Sequence, residues 1–116
     1  MRSILVFLTI LFSGLALAQD KAIPVMIRAD GDLDTCSMGK VATATEVRAG
    51  PGKAHRATGK LAAGASVWMF DERGDWIGIA YGVAEIECSP IKKTKAYDGP
   101  GKSGWVPKKS LRLLAG

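Results

Sequence analysis

At 116 residues, 47% hydrophobic and 23% charged, the chain has material for one small domain with a modest core. Its 16 Lys and Arg against 11 Asp and Glu give a net charge of +5, which points to an anionic partner or to ordinary surface charge. A lone histidine and two cysteines exclude most metal and nucleophile constellations before any spacing is considered.

Arg2, the apolar run at residues 4–12 and the small residues Ala16 and Ala18 read as a secretory signal peptide over residues 1–18. The run is short for a membrane anchor, which needs ~20 apolar residues, and no basic stop-transfer flank follows it. The expected mature protein is therefore soluble, without stable membrane insertion, and periplasmic or secreted. Cleavage after Ala18 would leave 98 of the 116 residues and lower the basic count from 16 to 15 against 11 acids, a net +4. From Cys88 onward there are seven basic residues and one acid, Asp98. That asymmetry suits cell-wall polymer or lipid headgroups, whereas an exported protein rarely meets nucleic acid.

Residues 19–39 read as an N-terminal arm with one strand, leading into the acidic run Asp30-Gly31-Asp32-Leu33-Asp34. From residue 40 the pattern becomes short apolar runs between glycine-marked turns. Strands are predicted at 41–47, 57–61, 66–70, 76–81 and 104–106. Alternation places Val47, Leu61, Val67, Met69, Ile77, Ile79, Val106 and Leu111 inward, with Trp68, Phe70, Trp76 and Gly78 on the other face. Gly50-Pro51-Gly52 predicts a tight turn, with glycine supplying positive φ. Asp71-Glu72-Arg73-Gly74-Asp75 predicts a polar hairpin turn with Gly74 at positive φ. Five such strands suggest an all-β fold, a small closed or partly open barrel, since a flat sheet would leave its edges exposed. Residues 82–103 interrupt this rhythm as a long insertion carrying Cys88, Pro90, Tyr97, Pro100 and four lysines.

Two cysteines in an exported chain imply a Cys36–Cys88 disulfide anchoring that insertion, with two free thiols as the alternative. Closing a loop of this length is worth roughly 4 kcal/mol in the chain-entropy model.

Taken together, Val47-Arg48-Ala49-Gly50-Pro51-Gly52, Gly59-Lys60-Leu61, Gly64, Val67, Gly74-Asp75-Trp76, Ile79, Gly104-Trp105-Val106 and Leu111 resemble the bacterial SH3-like (SH3b) domain over residues 40–113. The resemblance implies a five-stranded, partly open SH3-like barrel at 40–116. It also implies a binding or targeting module for cell-wall peptides, of the kind that often accompanies a peptidoglycan hydrolase. No catalytic domain accompanies the match, so any hydrolase would be a separate protein. The insertion and Thr45, at a position often apolar, depart from the family pattern. The insertion is similar to that of small secreted members in which it holds a disulfide cysteine. Gly104-Trp105-Val106-Pro107 also resembles the last strand of eukaryotic SH3 domains, whose proline lines a peptide groove. Ser110 stands where an aromatic groove residue would be needed, which argues against polyproline recognition.

Chemistry has few actors. Asp30, Asp32 and Asp34 match the start of an EF-hand loop, but Thr35 and Val41 occupy its glycine and glutamate positions, so no metal is expected. Gly101-Lys102-Ser103 lacks the first glycine of a P-loop, which would fall at Ala96. His55, the single imidazole, would have to serve any Cys-His or Ser-His pair, and Asp71, Glu72 and Asp75 are assigned to one exposed turn. A non-enzymatic protein without cofactors is expected, and a monomer. The candidate ligand-binding residues are Arg48, His55, Trp68, Trp76 and Tyr81, with a groove edged by Arg48, His55, Trp76 and Tyr81. Trp68 and Trp76 serve either as a ligand platform or as a floor for the arm and insertion. Arg48 is either a strand-edge ion-pair partner or a contact for a peptide carboxylate. His55 either packs or lines the groove. The leading expectation is recognition of a cell-envelope ligand such as a peptidoglycan peptide. The alternative is an interaction or inhibitor-like protein that docks on another exported protein through the insertion. Iodoacetamide treatment of the unreduced, denatured protein is expected to add no adduct, and reduction to expose two alkylatable thiols; two adducts before reduction would show that the disulfide is absent.

Overall fold

The computed structural model describes residues 21–29, 37–86 and 91–115. Both cysteines, the acidic run from Asp30 to Asp34 and the proposed signal peptide lie outside the described residues.

The described residues form an all-β structure. Its strands are β1 (Met26–Ile27), β2 (Met38–Val41), β3 (Thr45–Arg48), β4 (Ala57–Leu61), β5 (Ser66–Arg73), β6 (Trp76–Tyr81), β7 (Lys95–Ala96), β8 (Lys102–Pro107) and β9 (Leu111–Ala115). A single 3-10 turn, Lys108–Ser110, joins β8 to β9. Seven strands make one antiparallel sheet in the order β4-β3-β8-β6-β5-β2-β9, and β1 pairs with β7 in a separate two-stranded ribbon.

Two differences from the expected strands have local causes. The strand expected over 41–47 is two strands, because the backbone of residues 41–43 turns aside to bond elsewhere. The Val41 N–H donates to the Ala65 carbonyl, and the Ala42 N–H donates to Ser110 at 2.7 Å. The insertion is not an open loop. It contains β7 and the start of β8, and the Tyr97 N–H donates to the Val25 carbonyl at 2.8 Å.

Alternation along β5 and β6 divides the apolar residues into two cores. Val67 and Met69 join Val41, Val47, Ile77, Ile79, Tyr81 and Val106 in the first, with Leu61 and Leu111 half-buried against it. Every residue expected to point inward is therefore found there. Each such aliphatic side chain contributes about 1.5–3 kcal/mol when fully buried. The opposite face carries a second core of Val25, Trp68, Phe70, Ala80 and Trp105, which the arm and the insertion cover through Ile23, Ile27, Val83 and Tyr97. The Tyr97 ring stacks on Phe70 with centroids 5.1 Å apart, and the Trp105 indole N–H donates to the Ile23 carbonyl at 2.8 Å.

The hairpin between β5 and β6 corrects a further expectation. Arg73 pairs with Trp76, so the turn consists of Gly74 and Asp75 alone, with Gly74 at φ +59°. Asp71 is not in an exposed turn; it is buried, at 1% exposure. The register shifts between Met69 and Asp71, so that Asp71 lies opposite Gly78. Strict alternation would send Asp71 into the first core beside Val67 and Met69. The bulge re-aims it toward the arm. There its carboxylate accepts the Met26 N–H at 3.1 Å and Arg28 Nε at 3.0 Å, with Arg73 Nε 3.7 Å away. Gly78 makes this possible, since a Cβ at that position would lie 2.8 Å from Val25 Cγ1 and 3.0 Å from Asp71 Cβ.

Because the carboxylate is shielded and its donors come from the arm, Asp71→Ala is expected to lower stability by about 3 kcal/mol in urea unfolding. In a double-mutant cycle Arg28→Ala should then add little to Asp71→Ala, and full additivity would show the pair uncoupled.

Candidate functional site

The Gly-Pro-Gly segment connects β3 to β4. Among the described residues positive φ is found at Gly64, Gly74, Gly82 and Gly101, and not at Gly50 or Gly52. The reason for glycine at position 50 is space. The His55 ring lies on it, and a Cβ there would sit 2.6 Å from His55 Cε1 and Nδ1. The loop is closed at its base by the Ala49 N–H donating to Arg56 at 2.9 Å, and at its tip by the His55 N–H donating to Gly52 at 3.2 Å.

The structure distributes the five candidate ligand residues unevenly. Arg48 Nη2 pairs with Glu46 Oε1 at 2.9 Å, and Nη1 donates to the His55 carbonyl at 3.1 Å, so the guanidinium braces its own loop. His55 is half-buried against Gly50, and its Nδ1 is enclosed without a hydrogen-bond partner among the described residues. The ring packs on the Gly50 backbone. Trp68, at 9% exposure, belongs to the second core and is covered by the arm and the insertion. Tyr81 belongs to the first core, its hydroxyl pressed toward Gly59, and does not edge a groove. The signal for Tyr81 was present in the alternation itself, since it follows Ile77 and Ile79 on one face of β6. Trp76 is half-buried and lines a concave surface.

That surface is a groove of about 590 Å³ lined by Lys53, Asp75, Trp76, Pro107, Lys108 and Lys109. Lys53 follows the Gly-Pro-Gly turn, Asp75 and Trp76 come from the β5–β6 hairpin, and the remaining three come from the end of β8 and the 3-10 turn. Two contacts tie the β5–β6 hairpin to the 3-10 turn. The Lys108 N–H donates to the Asp75 carbonyl at 2.7 Å, and Lys108 Nζ reaches Glu72 Oε2 at 2.6 Å. Trp76 and Pro107 are partners in the β6–β8 register, which sets an indole beside a pyrrolidine. Pro107 was indicated by the Gly-Trp-Val-Pro segment, whereas the lysines were hidden within a general basic excess. Ser110, absent from the groove, is buried at 6% and its carbonyl receives the Ala42 N–H.

A second groove of about 580 Å³, lined by residues including Glu46, Lys60 and Leu61, has no aromatic member. Among the described residues no cluster of three or more His, Cys, Asp and Glu side chains could hold a metal ion, and no helix is long and apolar enough to cross a membrane. Comparison with models of known families, with curated proteins and with solved structures found no match for the chain.

Both tyrosines are held protonated above their ordinary range. Burial raises Tyr81, and burial followed by the nearby Asp98 charge raises Tyr97, each from 10.0. The unfolded chain releases these protons first, so their contribution to stability is complete below pH 10.0 and is lost as pH rises through the folded-state values. A phenolate absorbance titration is expected to show no tyrosine ionising at its ordinary pKa while the protein is folded, together with falling denaturant midpoints above that pH. A tyrosine that ionises normally in the folded state would contradict this packing.

Proposed function

We propose that the chain is an exported, non-catalytic SH3-like (SH3b) binding module that recognises a cell-envelope ligand, a peptidoglycan peptide, through the groove floored by Trp76 and Pro107. The observation that carries this reading is the convergence of three sequence-distant segments on one groove. The Gly-Pro-Gly loop contributes Lys53, the β5–β6 hairpin contributes Trp76, and the Gly-Trp-Val-Pro strand contributes Pro107. These are segments on which the resemblance to the SH3b family rests. The antiparallel pairing of β5, β6 and β8 in succession, with β9 returning to β2, supports this reading.

An aromatic side chain beside a proline offers a flat apolar surface, and the surrounding lysines supply charge for orientation. The exposed lysines Lys92, Lys93, Lys95 and Lys102 add long-range attraction to anionic wall polymer without specifying it. Docking through the insertion has less support. Its apolar residues Val83, Ile86 and Tyr97 are turned toward the second core, where they serve as cover and not as anchors for a partner.

The mature protein is expected to co-sediment with purified sacculi, and retention should survive high salt yet fall sharply in Trp76→Ala. Absence of co-sedimentation even at low salt would refute the proposal. Retention abolished by salt and indifferent to Trp76 would reduce it to charge attraction.

A further inference from the structure

The charged groups around the groove differ in what they already touch. Lys108 is engaged with Glu72, and its backbone fixes the position of Asp75. The side chains of Lys53, Lys109 and Asp75 have no ion pair or hydrogen bond among the described residues, and all three are exposed at the groove. Two unengaged ammonium groups and one unengaged carboxylate therefore surround an apolar floor of Trp76 and Pro107.

Building on the peptide-binding reading, we infer that this groove takes the end of a short peptide carrying both a free carboxylate and a side-chain amine. The carboxylate meets Lys53 and Lys109, the amine meets Asp75, and the aliphatic body lies on Trp76 and Pro107.

Charge complementarity selects this occupant over others. A continuous polyanion would gain from the lysines but would bring its repeating negative charge against Asp75. A neutral sugar or peptide would stack on Trp76 yet leave three charged groups without partners. The volume, about 590 Å³, lies within the ~300–1,000 Å³ range of small-ligand sites, which suits a few residues and not a folded partner. The tie between Lys108 and Asp75 also matters, because it holds the Asp75 hairpin against the turn that bears Lys109 before any ligand arrives.

The test is calorimetric titration of the mature protein with Nα-acetyl-L-Lys-D-Ala-D-Ala, its C-terminal amide, and the form acetylated on the lysine side chain. Each modification is expected to weaken binding by about tenfold, the loss of one charge-assisted contact. In Asp75→Asn the acetylated and free-amine peptides should bind alike, and in Lys53→Gln combined with Lys109→Gln the acid and amide should bind alike. These residues are exposed, so the variants are expected to fold, and unchanged circular dichroism and urea midpoints would verify it. Equal binding of the three peptides to the unsubstituted protein, or no binding of any, would overturn the inference. If sacculi are nevertheless retained in a Trp76-dependent way, the broader wall-binding proposal stands and only the ligand chemistry is wrong.

Discussion

The Asp71 carboxylate is the point on which the two halves of the molecule depend. It is a buried charge in a small domain, and burying a charge is costly unless its partners are in place. Here the partners are the Met26 N–H and the Arg28 guanidinium, both supplied by the N-terminal arm. Without the arm, the carboxylate would have only Arg73 nearby, at 3.7 Å. Folding of the sheet and docking of the arm are thus coupled through one side chain, and the bulge in β5 is the backbone device that aims it.

That coupling determines how the aromatic residues are used. Trp68, Phe70 and Trp105 face the arm side and would form a large exposed apolar surface on a bare sheet. The arm covers them with Ile23, Val25 and Ile27, and the insertion adds Tyr97. Arg73 closes the margin, with its guanidinium carbon 5.4 Å from the Trp105 ring centroid. Gly78 serves this packing by occupying little space and so admitting Val25; in the loop after β3, Gly50 likewise admits the His55 ring. Trp76 stays half-buried at the edge of the covered face, paired with Pro107 in the β6–β8 register.

The proposed groove follows from this arrangement. Its floor belongs to the sheet and its charged walls to three turns, two of which are tied together through Lys108. A rigid floor with charged side chains on flexible stems can orient a small zwitterionic ligand while much of the basic surface acts only at long range.

Local pattern in the sequence was enough for the all-β class, for most strand positions, for the Gly74 turn and for most members of the first core, Val41 and Tyr81 excepted, because period-two alternation and positive φ are properties of neighbouring residues. It also singled out Trp76, whereas Pro107 entered only through a likeness to eukaryotic SH3 domains that Ser110 argued against. The face taken by Asp71 was not legible, since no glycine or proline marks the bulge and its register shift exists only relative to β6. The burial of Trp68 was equally beyond local pattern, because the residues that cover it come from a distant arm and from an insertion whose pairing with that arm is long-range. The groove belongs to the same category. Lys53, Asp75 and Lys109 are ordinary surface charges in the linear chain, and only the tertiary structure decides that they share one concave surface, because proximity across a sheet is set by strand order and not by sequence distance.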